Sequence, residues 1–326
     1  MLVSPKLAFV QLNPKPDPKY GVPCTRSSHG LSIVGEKLVL YGGEHVARTP
    51  LEDFQALWIA SEEEWRCIIP ELKPPPRVAH AQAAVGDLVY IFGGRAGITM
   101  EEKPMNDLWK FDVKSESWTK VETLGTPPSP RSFHRMVSCS GSLYIFGGCG
   151  AEGRMADLYK LELATLTWQN FGTSPLLKGR GGANLIVLED KLTVVGGFAG
   201  EETSDGHAYS VTESKWYDSA LNLQGLRPRS VCVSASLGAF AVIFGGEVDP
   251  SERGHEGAGG FENDVVLLDG NTGTYLETLR LSPCPQTRGW SDGAASGNSL
   301  YIFGGLSGDD ASPLRLNDLW RLDVTK

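Results

Sequence analysis

The stretch from Glu247 to Phe261 gathers side chains that could do chemistry. Glu247, Asp249, Glu252 and Glu256 supply four carboxylates, His255 an imidazole and Ser251 a hydroxyl. Histidine and carboxylate donors that leave a coordination position open are the set that holds non-haem iron(II). A glycine-rich ordered loop in which His255 only bonds its neighbours accounts for the same residues, and both readings stand. Two arginines and a tryptophan, Arg229, Arg288 and Trp290, offer guanidinium groups and an aromatic wall. Such groups at a water-filled mouth would hold a small anionic or sulfur-containing ligand. His29, His80 and His134 each follow an arginine by three residues, and their recurrence points to a structural role. The pair Glu44 and His45 and the thiol of Cys149 are weaker candidates.

These groups need a scaffold, and a repeat supplies it. Gly-Gly closes a short apolar run six times, at 42–43, 93–94, 147–148, 196–197, 245–246 and 304–305. An arginine stands 17 residues before each second glycine: Arg26, Arg77, Arg131, Arg180, Arg229 and Arg288. A third strand follows, as at Asp107-Leu108-Trp109 and Asp318-Leu319-Trp320, and a fourth begins at Trp65, Trp118, Trp168, Trp216 or Tyr275. Four short strands recurring every 49 to 59 residues predict an all-β, six-bladed β-propeller occupying residues 1–326 as one domain. The sixth repeat has three strands before Lys326, so residues 7–11, with Phe9 in the place of the tryptophan, are expected to supply its fourth. Closure would remove an exposed sheet edge.

An antiparallel hairpin puts each arginine near its Gly-Gly, and the following loop emerges on the same face. The six arginines are therefore candidates to ring the channel mouth, or to tie blades together through carbonyls and carboxylates. Blade five has the longest loop there, 18 residues from Gly246 to Asp264 against 13 and 9 in blades two and three. Long loops on rigid scaffolds carry function.

Thirty Lys and Arg against 39 Asp and Glu give a formal charge of −9, and no basic run tracks a phosphate backbone. Nucleic acid is not an expected partner. No apolar stretch of membrane-spanning length and no secretory leader is evident, and six dispersed cysteines form no CxxC pair. Free thiols and a cytoplasmic location are the expectation.

The paired glycines and spaced aromatics resemble the kelch repeat over almost the entire chain. The blade-five loop, with Arg26-Ser27-Ser28-His29-Gly30, Gly181-Gly182-Ala183, Arg229-Ser230-Val231 and Arg288-Gly289-Trp290, looks like the plant specifier proteins and their kelch relatives outside glucosinolate plants. The resemblance implies iron(II)-assisted breakdown of glucosinolates to nitriles, epithionitriles or thiocyanates, with Glu, Asp and His ligands four residues apart. Glu247 and His255 match, and Ser251 stands where the family has Asp. A neutral hydroxyl is a poor iron(II) ligand; Asp249 or Glu252 would have to replace it. Two functions stay open: a small-molecule site at the channel mouth, enzymatic or not, and a platform that binds a protein partner through the loop face.

Overall fold

A computed structural model describes residues 5–47, 49–51, 56–96 and 103–325, except for the side chain of His255. Six four-stranded antiparallel sheets follow one another along the chain. Their first strands are Gly30–Val34, Ala81–Val85, Arg135–Cys139, Asn184–Leu188, Val233–Leu237 and Asp292–Ser296. Each first strand touches its counterparts in both neighbouring blades, so the six enclose a central axis. The sixth sheet closes as the sequence predicts. Lys6–Leu12 pairs with the last strand, Pro313–Thr325, from Lys6 opposite Thr325 to Leu12 opposite Leu319.

The repeat residues act at the seams between blades. The aromatic of the fourth strand packs against the aromatic preceding Gly-Gly in the previous blade: Trp65 on Phe303, Trp118 on Tyr41, Trp168 on Phe92, Trp216 on Phe146 and Phe9 on Phe244, with centroids 5.0 to 6.1 Å apart. Edge-on and tilted geometries of this kind are favoured between rings. His29, His80 and His134 meet Phe303, Tyr41 and Phe92 at 5.5 to 5.6 Å, which fits their expected structural role.

The glycine pair permits an equally close approach of backbone. The second glycine, at φ 90 to 110°, donates its N–H to the carbonyl of the next blade's repeat arginine at 2.8 to 3.1 Å. A Cβ on the first glycine would stand 2.7 to 2.9 Å from that same carbonyl oxygen. Any side chain there would force the blades apart.

The arginines do not ring the mouth. All six are buried, and each donates Nη1 to the carbonyl of the first glycine of its own pair at 2.9 to 3.0 Å. Arg77, Arg131, Arg180, Arg229 and Arg288 also form bidentate pairs with Asp107, Asp157, Asp205, Asp264 and Asp318. Blade one has Ala56 at the aspartate's position, and burial lowers the Arg26 guanidinium to about 10. These arginines clamp the end of the second strand to the third.

Two residues beyond each arginine the chain builds a hoop. Ser28, Ala79, Phe133, Gly182, Val231 and Trp290 all lie at φ 47 to 61°. Each donates its N–H to the carbonyl of the preceding member, Ser28 to that of Trp290, at 2.8 to 3.0 Å. Left-handed backbone costs an L-residue roughly 1–2 kcal/mol, a cost offset here by a closed cycle of main-chain bonds. The hoop sets the mouth of the axial channel and presents five side chains to it.

Candidate functional site

Two of those side chains plug the mouth. Phe133 and Trp290 come from blades three and six, opposite each other in the ring, and meet edge to face at 5.1 Å and 85°. Above them on the loop face lies a cup of about 210 Å³ walled by Phe133, Phe198, Val231, Pro250 and Trp290. Its polar lining comes from Cys149, Arg154, Ser230, Glu247 and Ser251. Arg154, exposed at the rim, lies over the Phe198 ring at 4.6 Å. An apolar cavity with few convergent polar groups is the usual form of a small-molecule site.

Glu247 is the residue after Gly-Gly in blade five, and its backbone bridges to Ser230 in both directions at 2.9 Å. Its side chain is buried and accepts the backbone N–H groups of Ser251 and Gly259. Burial nevertheless pushes it up to about 7, with Asp310 adding repulsion. At the same position in blade one, Glu44 is paired with Arg315 at 2.9 Å; among the described residues no cation pairs with Glu247. Behind Ser230 stands Glu202, on the third strand of blade four (Glu202–Ser210), whose Oε1 accepts the Ser230 hydroxyl at 3.2 Å. Glu202 Oε2 is buried without a hydrogen bond from the described residues, and burial, with Glu247 and Asp249 nearby, pushes this carboxyl to about 8.

Both carboxyls hold their proton more tightly in the folded than in the unfolded protein. Their contribution to stability is complete below the unfolded value near pH 4.3 and is lost as pH rises through about 7 and 8. The melting temperature is therefore expected to fall between pH 6 and pH 8.5, and to fall less in Glu202→Gln. Thermal melts across that range check it; equal slopes would show Glu202 ionised in the folded protein.

The predicted metal residues separate. Asp249 is exposed and faces Arg227 at 3.4 Å, outside the cup. The Ser251 hydroxyl donates to Asp310 Oδ1, while Glu252 donates its N–H to Asp310 Oδ2 at 3.0 Å. Arg253 Nη1 reaches the Asp310 carbonyl at 2.8 Å. His255 lies in the 3-10 turn Gly254–Glu256, and its side chain is outside the described part. Among the described residues no three His, Cys, Asp or Glu side chains converge as a metal site. Among the described donors, with Glu247 turned onto its own loop and Ser251 neutral, the set does not fit iron(II), and no step below runs through a metal.

Of the predicted ligand residues, Trp290 lines the cup and the buried Arg229 and Arg288 do not. Sequence reasoning missed Arg154, Glu202 and Asp310, which reach the site from the loops and strands of blades three, four and six. One signal was available for the aromatic wall. Phe133 departs from the small residues at the hoop position as Trp290 does, and Phe198 stands after Gly-Gly where other blades carry Glu44, Arg95 or Glu247.

Residues 61–246 match the family model described as the KLHDC2/KLHL20/DRC7 Kelch-repeats domain. Among curated proteins the chain is similar to an N-(sulfonatooxy)prop-2-enimidothioate sulfolyase from Thlaspi arvense, 28% identical over 298 residues that cover 82% of this chain and 84% of that protein. It is 32% identical to Adagio protein 3 of Arabidopsis thaliana over 248 residues, 69% of this chain and 39% of that protein. The dynein alpha chain of the Chlamydomonas reinhardtii flagellar outer arm is 28% identical over 222 residues, 62% of this chain and 5% of that protein. The solved structure of YjhT superposes with a TM-score of 0.74 over 94% of this chain and 99% of that chain, at 18% identity, a likeness of fold alone. With the family model matching more than half its length and all six blades in place, the chain belongs to the kelch-repeat family.

Proposed function

We propose that the loop-face cup binds a small molecule with an apolar body and an anionic, sulfur-bearing head, and that the protein acts on such a molecule in the manner of a specifier-type lyase. The observation that carries this reading is the cup itself, three aromatic walls closed below by the Phe133 and Trp290 pair. The similarity to a sulfolyase across most of both chains supports it. Arg154 takes the role first assigned to Arg229 and Arg288. Its guanidinium is exposed at the rim over the Phe198 ring, where it meets a sulfate or sulfonate. Phe198 and Trp290 flank the apolar body and exclude water from it. Glu247, buried and near the midpoint of its titration at neutral pH, holds a proton next to the ligand.

Calorimetric titration with butyl sulfate tests the reading. Binding is expected in the native protein and at least tenfold weaker in Arg154→Ala. No binding, or binding indifferent to Arg154, would overturn it.

Iron(II) is the cofactor that the family resemblance implies, and its absence from the chemistry above makes a prediction. Ser251→Asp restores an anionic donor four residues after Glu247 and beside Asp310, so iron(II) affinity is expected to rise at least tenfold over the native protein. Anaerobic titration of tag-free protein measures it; equal affinity would show that this loop is not the basis of a metal site in either form.

A further inference from the structure

Beneath the aromatic pair a second pair crosses the same channel. Arg135 and Asp292 begin the first strands of blades three and six, two residues after Phe133 and Trp290, and both line the same cavity below that pair. Arg135 ties in blades four and five through Nε to the Ala183 carbonyl at 2.9 Å and Nη2 to the Cys232 carbonyl at 2.7 Å. Its Nη1 stops 3.6 Å from Asp292 Oδ1, too far for a hydrogen bond. Next to this gap is a cavity of about 130 Å³ whose wall includes His80 and Gln82. Both side chains are more than nine-tenths buried and lean on each other, yet neither ring nitrogen of His80 nor Oε1 of Gln82 completes a well-formed hydrogen bond within the described protein. Buried polar atoms left in this state call for a partner. The cavity adjoins a wider well of about 310 Å³ that follows the first strands away from the loop face, where Ser32, Ser138, Ser234 and Ser236 stand among aliphatic residues such as Ile33, Val137 and Leu185.

We propose that the blind end of this axial well is a second binding site, for a small polyol or the hydroxyl-bearing end of a sugar. A hydroxyl both donates and accepts. One hydroxyl fills the gap by donating to Asp292 and accepting from Arg135; its neighbour donates to Gln82 Oε1 and exchanges a bond with His80. A carboxylate or an ammonium would satisfy one member of the ion pair and repel the other. The serine-lined well gives the rest of such a molecule a hydroxyl-bearing path toward the far face. The site is separated from the loop-face cup by the aromatic pair, so it stands or falls independently of the function proposed above.

Saturation-transfer NMR and calorimetry with glycerol, erythritol and D-ribose decide the matter, at pH 8, above the value of about 6 to which burial pushes Asp292. At least one compound is expected to bind with a dissociation constant of about 10 mM or tighter. Asp292→Asn and Gln82→Met should each weaken it at least tenfold, with butyl sulfate binding unchanged in Gln82→Met. Gln82→Met preserves size and leaves the ion pair intact, so it decides alone if Asp292→Asn melts early. No saturation transfer from any of the three at about 50 mM, or equal binding in native and Gln82→Met protein, would show that the well holds ordered water only.

Discussion

Removing residues 1–12 is expected to lower the melting temperature by more than 10 °C. The deletion strips the outer strand from blade six, a seven-residue ladder against Pro313–Thr325, and exposes the edge it covers. It also removes Phe9, which is 4% exposed and wedged between Phe244 of blade five and Trp320 of blade six. Truncating one fully packed phenylalanine costs about 3–5 kcal/mol. In a protein of this size that corresponds to roughly 4–7 °C, before any ladder bond is counted. Phe9→Ala isolates the seam contribution and should recover part of the loss. Calorimetry that finds the truncated protein melting with the native one would mean that the ring closes without this strand.

Trp290→Ala is expected to weaken butyl sulfate binding at least tenfold while lowering the melting temperature by less than about 5 °C. A tryptophan at this position can serve as a ligand wall or as a plug in a seam of blade six with a neighbouring blade. It lies in neither seam: its ring crosses the channel mouth to Phe133 and forms wall and floor of the cup. Because it is only half-buried, its loss falls short of the 3–5 kcal/mol typical of a core tryptophan. Truncation also opens the cup into the axial well, so the ligand loses a wall and a floor together. Trp290→Phe keeps an edge-to-face partner for Phe133 and should retain most binding. A fall of about 7 °C or more in Trp290→Ala would make the residue structural; full binding by that variant would remove it from the site.

The fold was legible because its signals are local and repeated. Gly-Gly records where a carbonyl of the next blade must come within 3 Å, and the aromatic that opens each fourth strand records a seam, so both recur at nearly fixed spacing. The role of the arginines was harder to read. Their aspartate partners follow at 25 to 35 residues, an interval that changes with every loop, and those aspartates looked like markers of the third strand. The cup was less legible still. Arg154, Glu202 and Asp310 sit in segments that differ between blades, and only closure of the ring brings them beside Glu247 and Ser251. Spacing along a chain records neighbours within a blade; it carries nothing about which loops converge above the axis.

The hoop of left-handed residues at the mouth separates scaffold from chemistry. Its cohesion comes from peptide groups alone, six N–H groups answering six carbonyls, and no side chain takes part. Serine, alanine, phenylalanine, glycine, valine and tryptophan already occupy its six places with the same backbone geometry. Apart from Gly182, where a Cβ would stand 2.7 Å from Val231 Cγ1, each place is thus a socket that accepts very different plugs, and the lining of the mouth can be rewritten one blade at a time, by drift or by design, without renegotiating the frame that holds it.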